Sequence, residues 1–124
     1  MAAAAKINRG TSYNFTWTYK KNSVIQDLTG ATVYFTVKRE ESDLDATDAS
    51  AIIKADVTSH SDPLNGTTVI ALTPTQTAYV AGTTSFIEPG EYIYDIKVKE
   101  VGGDIYKAAE GTVDIDGSPT NRGI

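Results

Sequence analysis

The chain has no cysteine, which excludes disulfide staples, thiolate zinc sites and a thiol nucleophile. Its single histidine, His60, removes any paired-imidazole metal site and leaves one candidate base for a Ser-His-Asp arrangement. Neither Gly-x-x-x-x-Gly-Lys nor Gly-x-Gly-x-x-Gly occurs, so the glycine-rich phosphate cradles are missing. No apolar run approaches the about 20 residues that a helix needs to cross a bilayer. Residues 1–5, followed by Lys6, carry neither the basic segment nor the apolar stretch of a signal peptide, so the expectation is a chain made and kept, or assembled, in a cytoplasm.

What is present is an ordinary globular composition. At 124 residues, 40% hydrophobic and 22% charged, the chain is long enough for one core and must hold it by packing alone. A net charge of −5 argues against a nucleic-acid partner, because that affinity comes from cations neutralising phosphates. The charge is unevenly spread: residues 1–38 carry five basic side chains against one acidic, and residues 39–124 carry six against fifteen. Such a split allows copies of the chain to pair, and it equally allows folding to intermix the charges on one surface.

Periodicity indicates strands. Over residues 12–19, Tyr13, Phe15, Trp17 and Tyr19 alternate with Asn14, Thr16 and Thr18, the period of a half-buried strand. A polar turn at residues 20–23 and a second at 27–30 lead to residues 32–38, where Val33, Phe35 and Val37 share one side. The closeness of these two strands in sequence predicts that they are neighbours. Residues 39–50 lose the alternation and collect acids, reading as a surface loop, and residues 51–55 resume extended structure. The turn at Asp62, Pro63, Leu64, Asn65 and Gly66 precedes a strand over 67–72. Thr73 and Pro74 open a helical turn over 74–80, ended by Gly82. After Pro89-Gly90 comes a strand over 91–100 with Tyr92, Tyr94, Ile96 and Val98 on one face, then a Gly102-Gly103 hairpin and a last strand over 104–116, bulged near Gly111.

Six to seven short strands with one helical turn predict an all-β, immunoglobulin-like antiparallel β-sandwich over residues 9–116. Residues 1–8 and 117–124, aperiodic and rich in small residues, read as an N-terminal and a C-terminal arm.

Chemistry is sparse. His60 reads as an exposed loop histidine without a catalytic role. Asp43, Asp45 and Asp48 lack the central glycine and terminal glutamate of a calcium loop. Glu88 and Glu91 flank a turn, but nothing sets a substrate between them as a glycosidase requires. Trp17 belongs to a core face, whereas Tyr34, Tyr79 and Tyr106 are the tyrosines that could be exposed to meet a protein or a glycan. No catalytic, cofactor-binding or metal-binding residue is assigned. The candidate interface residues are Lys6, Arg9, Lys20, Lys21, Tyr34, Tyr106 and Arg122.

Arg9-Gly10-Thr11 leading into the aromatic strand, then the run from Asp27 through Leu28-Thr29-Gly30-Ala31-Thr32-Val33 to Lys38, resembles the immunoglobulin-like N-terminal domain of phage baseplate upper proteins and related tail-fibre proteins. Further matches are the acidic, alanine-containing stretch 45–54, Leu72-Thr73-Pro74 with Thr77-Ala78, and Pro89-Gly90-Glu91-Tyr92. The similarity covers about residues 9–116 and is most specific where the Asp-Leu-Thr-Gly-Ala-Thr-Val run is followed by Pro-Gly-Glu-Tyr. It implies a structural module that attaches a fibre or receptor-binding protein to a virion. With no second domain after this one, attachment rather than host recognition is expected.

The expected function is therefore that of a phage virion structural protein of the tail, baseplate or fibre-attachment region. It would be located in the virion, act without a cofactor, and contact other virion proteins and copies of itself, with no nucleic acid and no membrane. The alternatives are a capsid decoration protein, a carbohydrate-binding module and a small hydrolase.

Overall fold

The computed structural model describes residues 6–39, 48, 50–117, 119–120 and 122. In chain order the strands are β1 (Lys6–Asn8), β2 (Tyr13–Thr18), β3 (Lys20–Lys21), β4 (Val24–Ile25), β5 (Thr32–Lys38), β6 (Ile53–Val57), β7 (Thr67–Leu72), β8 (Gly90–Lys99) and β9 (Ile105–Asp116), with one short helix, α1 (Pro74–Ala78), between β7 and β8. A five-stranded sheet in the order β1-β9-β8-β5-β6 is opposed by the pair β2-β7, and β3-β4 forms a minimal hairpin. This is an all-β sandwich with the immunoglobulin division of strands, the third, sixth and seventh principal strands on one sheet and the second and fifth on the other.

The alternating residues supply the core. Val33, Phe35 and Val37 of β5 and Ile96 and Val98 of β8 are buried, facing Ile70 and Leu72 of β7. Phe35 ties the layers: Phe15 of β2, on the opposite sheet, meets it edge-on at 5.5 Å between centroids, and Tyr94 of β8, on its own sheet, lies 5.7 Å away on a tilt. In antibody domains the corresponding strands contribute two cysteines and a tryptophan to a disulfide pin. Here three aromatic rings occupy the same strands, each burying large area and gaining from ring geometry. Tyr92, at the start of β8, donates its hydroxyl to the Glu88 carbonyl, the local bond known in such sandwiches as a tyrosine corner.

Several expectations are corrected. Strands β2 and β5 are not paired neighbours; β2 pairs with β7 and β5 with β6 and β8, so the two aromatic strands meet face to face across the core. The β3-β4 hairpin between them carries the chain from one sheet to the other. Lys6–Asn8, read as part of an arm, adds to the edge of β9 as a parallel strand and buries Ile7 completely. Three residues are too few for alternation to be visible. The remaining N-terminal arm residues lie outside the described ones, while Gly117, Pro119, Thr120 and Arg122 follow the last strand without joining a sheet.

The bulge in the last hairpin lies at Ala108, where the register passes from Ile96↔Ala109 to Lys97↔Lys107, and not at Gly111, which pairs with Tyr94. The apolar pattern explains the position. Tyr106 shares a face with Val98, whereas Val113 and Ile115 are buried; a change of parity between them requires one extra residue. Helix α1 ends at Tyr79, in extended conformation, rather than at Gly82. Tyr79 leaves the helix to bridge Phe86, on whose ring it stacks at 5.1 Å. At the other terminus of α1, Thr73 and Gln76 form a reciprocal capping box.

The glycine of the Pro63–Gly66 turn is fixed by geometry: at a φ of 65° a Cβ on Gly66 would come within 2.4 Å of the Gln26 carbonyl oxygen. That close approach lets Tyr19 and Leu28 donate backbone bonds to Gly66 and Pro63, sewing this turn to the β3-β4 region.

The fold predicts that Phe35→Ala destabilises by about 3–5 kcal/mol, since removing a buried ring leaves a cavity between layers that cannot collapse freely. Chemical denaturation with and without the substitution measures it; a loss under about 1 kcal/mol would be the cost of a surface change and would remove Phe35 from this role.

Candidate interaction surfaces

The C-terminal end of β2, the N-terminal end of β5, the Pro63–Asn65 turn and the β8-β9 turn converge on one end of the sandwich. Thr18 pairs with Thr67, Thr32 with Lys99 and Lys99 with Ile105. At this end stand most of the large apolar side chains that the described residues leave exposed: Val24, Ile25, Leu64 at 74%, Val101 at 80%, Ile105 and Tyr106. Val101 reaches over Gly30, Leu28 of the same turn donates to the Pro63 carbonyl, and Ile25 lies against Gly66, so these segments are joined through the residue 27–30 turn. Scattered single apolar residues are normal on a surface, whereas a group on adjoining turns forms a patch.

Beneath the patch a polar clamp ties the two layers together. The buried Tyr19 donates its hydroxyl to Glu100 Oε2 at 2.7 Å, and Lys21 Nζ meets the same oxygen at 2.8 Å. Lys21 also lies over the Tyr106 ring, 3.8 Å from its centroid, a cation–π contact. Burial, with help from the Glu100 carboxylate, pushes the Tyr19 phenol up to about 12. Hydrogen bonds from Lys21 and Tyr19 hold the Glu100 carboxyl below its ordinary range.

The candidate interface residues are distributed as follows. Lys21 and Tyr106 come together in the clamp, with exposed Lys20 beside them on β3. Lys6 pairs with Asp116 at 3.0 Å along the β1-β9 edge. Arg9 belongs to the opposite end, where its Nη1 donates to the Ile87 carbonyl at 2.9 Å and its guanidinium covers the Phe86 ring. Tyr34 is half-buried on the outer face of the large sheet, in register with Lys97, while Tyr106 pairs with Val98 on the inner face. Arg122 is exposed in a turn after β9. Three of the five early cations, Lys6, Lys21 and Lys38, make ion pairs with acids from later in the chain. Folding thus intermixes much of the charge split seen in the sequence.

His60 is not an exposed loop residue. It is half-buried, its Nε2 2.8 Å from the Ala31 carbonyl and its Nδ1 2.9 Å from the Thr68 hydroxyl. A proton on Nε2 lets the ring donate to the Ala31 carbonyl, while Nδ1 meets the hydroxyl of the buried Thr68. Both ring nitrogens are engaged in joining β7 to the segment before β5. Glu88 and Glu91 are exposed. Asp43 and Asp45 lie outside the described residues; Asp48 pairs with Lys38 at 2.9 Å. Among the described residues no group of three or more metal-ligating side chains could hold an ion, and no helix is long and apolar enough to cross a membrane.

The aliphatic members of the patch escaped sequence reasoning because it treated turns as polar connectors. A signal was available: Val24 and Ile25 follow Ser23, Leu64 sits between Pro63 and Asn65, and Val101 precedes Gly102-Gly103, all aliphatics where turn chemistry has no use for them.

No family model matches the chain, and no curated protein does. Among solved structures, the soluble domain of PmoD from Methylocystis sp. ATCC 49242 (Rockwell) is similar at 12% identity with a TM-score of 0.45, over 90% of this chain and 77% of that one.

The clamp makes a pH prediction. A carboxyl whose folded pKa is depressed contributes stability that is present above its unfolded value and lost as pH falls through the folded one. Glu100→Gln should therefore melt below the wild type at neutral pH, with the gap closing once the pH falls well under the unfolded glutamate value of about 4.3. Thermal melts at several pH values check this; a gap that is the same in acid as at neutrality contradicts an ionised clamp.

Proposed function

We infer that the chain is a structural protein of a bacteriophage virion, belonging to the tail, baseplate or fibre-attachment region, and that it works by docking its apolar end onto another virion protein. The observation that carries this reading is the gathering of Val24, Ile25, Leu64, Val101, Ile105 and Tyr106 on adjoining turns and strand ends at one end of the sandwich. Aromatic and aliphatic groups at the centre of a patch, with a charged residue such as Lys20 at its side, match the apolar core and polar rim of protein interfaces. The resemblance of the segments around Asp27–Lys38 and Pro89–Tyr94 to the attachment domain of baseplate upper proteins supports the placement in a virion.

The geometry offers less to a glycan. Tyr34 and Tyr106 face opposite sides of the sheet, Tyr79 stacks on Phe86, and Lys21 covers the Tyr106 ring, so these tyrosines do not form a row of open platforms.

The test is incorporation. Virions assembled with the wild-type chain, or with Val101→Glu or Leu64→Glu, are purified and the chain is quantified against a major structural protein. Placing a charge in a docking core costs about 2 kcal/mol or more, so particle-bound chain should fall at least about tenfold while the circular dichroism of the free variants stays native. Incorporation of both variants at the wild-type level removes the apolar end from the docking role, and a wild-type chain missing from purified virions overturns the reading itself.

A further inference from the structure

The outer face of the large sheet carries its charges in rows. Across the β8-β9 ladder Lys97 stands directly opposite Lys107, and one step along Asp95 stands directly opposite Glu110. Like charges directly opposite one another on a sheet are destabilising, and exchanging the members of the two rows would have made both pairs favourable. The ion pair between Lys107 and Glu110, at 2.8 Å, links the two rows along β9 and is exposed to solvent screening.

The far edge of the same face carries the opposite pattern. Tyr34 of β5 is in register with Lys97 on one side and Asp56 of β6 on the other; Thr36 is in register with Asp95 and with Lys54. One row therefore reads acid on β6 and two cations on β8-β9, and the adjacent row reads cation on β6 and two acids on β8-β9. Lys54, Asp56, Lys97, Lys107 and Glu110 are exposed, and Asp95 is half-exposed. They border a shallow open trough that also takes in Tyr34 and Thr36.

A surface with this checkered arrangement is complementary to itself. A two-fold axis lying in the face, across the strands and between the two rows, sets each row of one copy over the other row of its mate. Lys97 and Lys107 then meet Asp95 and Glu110, and Asp56 meets Lys54, at both ends of the contact. Isologous pairing of this kind is the commonest route to a closed dimer.

We propose that the outer face of the β6-β5-β8-β9 sheet is a homodimer interface, in which two copies pack sheet on sheet with these charge rows interlocked. The mate sets acid over cation along both rows. Charge complementarity of this kind sets register and partner choice more than raw affinity, which suits a module repeated in register. The surface adjoins the apolar end at Ile105, and its test does not depend on the virion reading.

The experiment is a charge-swap pair followed by sedimentation of the purified full chain. Wild-type protein should sediment as a dimer at low salt and dissociate toward monomer as salt shortens the screening length from about 10 Å at 0.1 M to about 3 Å at 1 M. The double variants Lys97→Glu/Lys107→Glu and Asp95→Lys/Glu110→Lys should each weaken self-association by at least about tenfold. Mixed in equal amounts, the two variants should recover a dimer, because the reversed rows of one then face the reversed rows of the other. Single variants Lys97→Glu and Glu110→Lys, with circular dichroism, guard against a folding defect in the doubles, since each alone should already weaken the dimer. A monomeric wild type at low salt, variants that dimerise as the wild type does, or a mixture of folded variants that stays monomeric overturns the proposal.

Discussion

Phe35 meets Phe15 of the opposite sheet and Tyr94 of its own, and the sandwich depends on the contact between Phe35 and Phe15. A two-layer fold without cysteine has no covalent tie between its layers, so facing side chains alone must set their separation and offset. Three rings do this on the strands where antibody domains carry a disulfide and a tryptophan. The consequences extend outwards. Gly111, opposite Tyr94, places no side chain against the ring, and the extra residue at Ala108 restores the parity that brings Val113 and Ile115 into the core. The same bulge separates the Lys97–Lys107 row from the Asp95–Glu110 row on the outer face. Packing inside thus determines which charges are presented outside.

The two ends of the sandwich are built differently from that shared centre. At one, Arg9, Phe86, Tyr79 and α1 lock together, with Thr77 accepting from the Gly10 amide and donating to the Thr11 carbonyl. At the other, the Tyr19–Glu100–Lys21 clamp sits beneath aliphatic groups that are left in water. A rigid support beneath an apolar surface lowers the ordering cost of docking, because the side chains under the contact are already fixed. The proposed attachment role uses that end, and the proposed dimer uses the sheet face beside it.

The fold was legible in the sequence wherever alternation ran for five residues or more. The faces of β2, β5 and β8, the capped start of α1 and the turn at Pro63–Gly66 all follow from period and turn chemistry. Shorter or paired features were not. Lys6–Asn8 shows no period, and its parallel partner is over a hundred residues away in sequence. The partner of β2 could not be read, because nearness along the chain favours β5 whereas packing of its aromatic face requires the opposite sheet. Candidate surface residues were legible as types and not as sets: Lys21 and Tyr106 meet only because the β8-β9 hairpin returns over β3, and Arg9 was a cation in sequence but a structural tie in the fold. The like-charge rows depend on a one-residue bulge, which no count of charges reveals.

The aromatic tie between the layers is measured by a double-mutant cycle of Phe15→Leu, Phe35→Leu and the double variant in equilibrium denaturation. If the rings act as the tie between sheets, the two substitutions are coupled by about 0.5–1.5 kcal/mol, the range for aromatic pairs beyond simple burial. Additivity of the two losses, within the experimental error of the cycle, would mean that each ring merely fills its own space and that something other than the aromatic contact holds the layers in register.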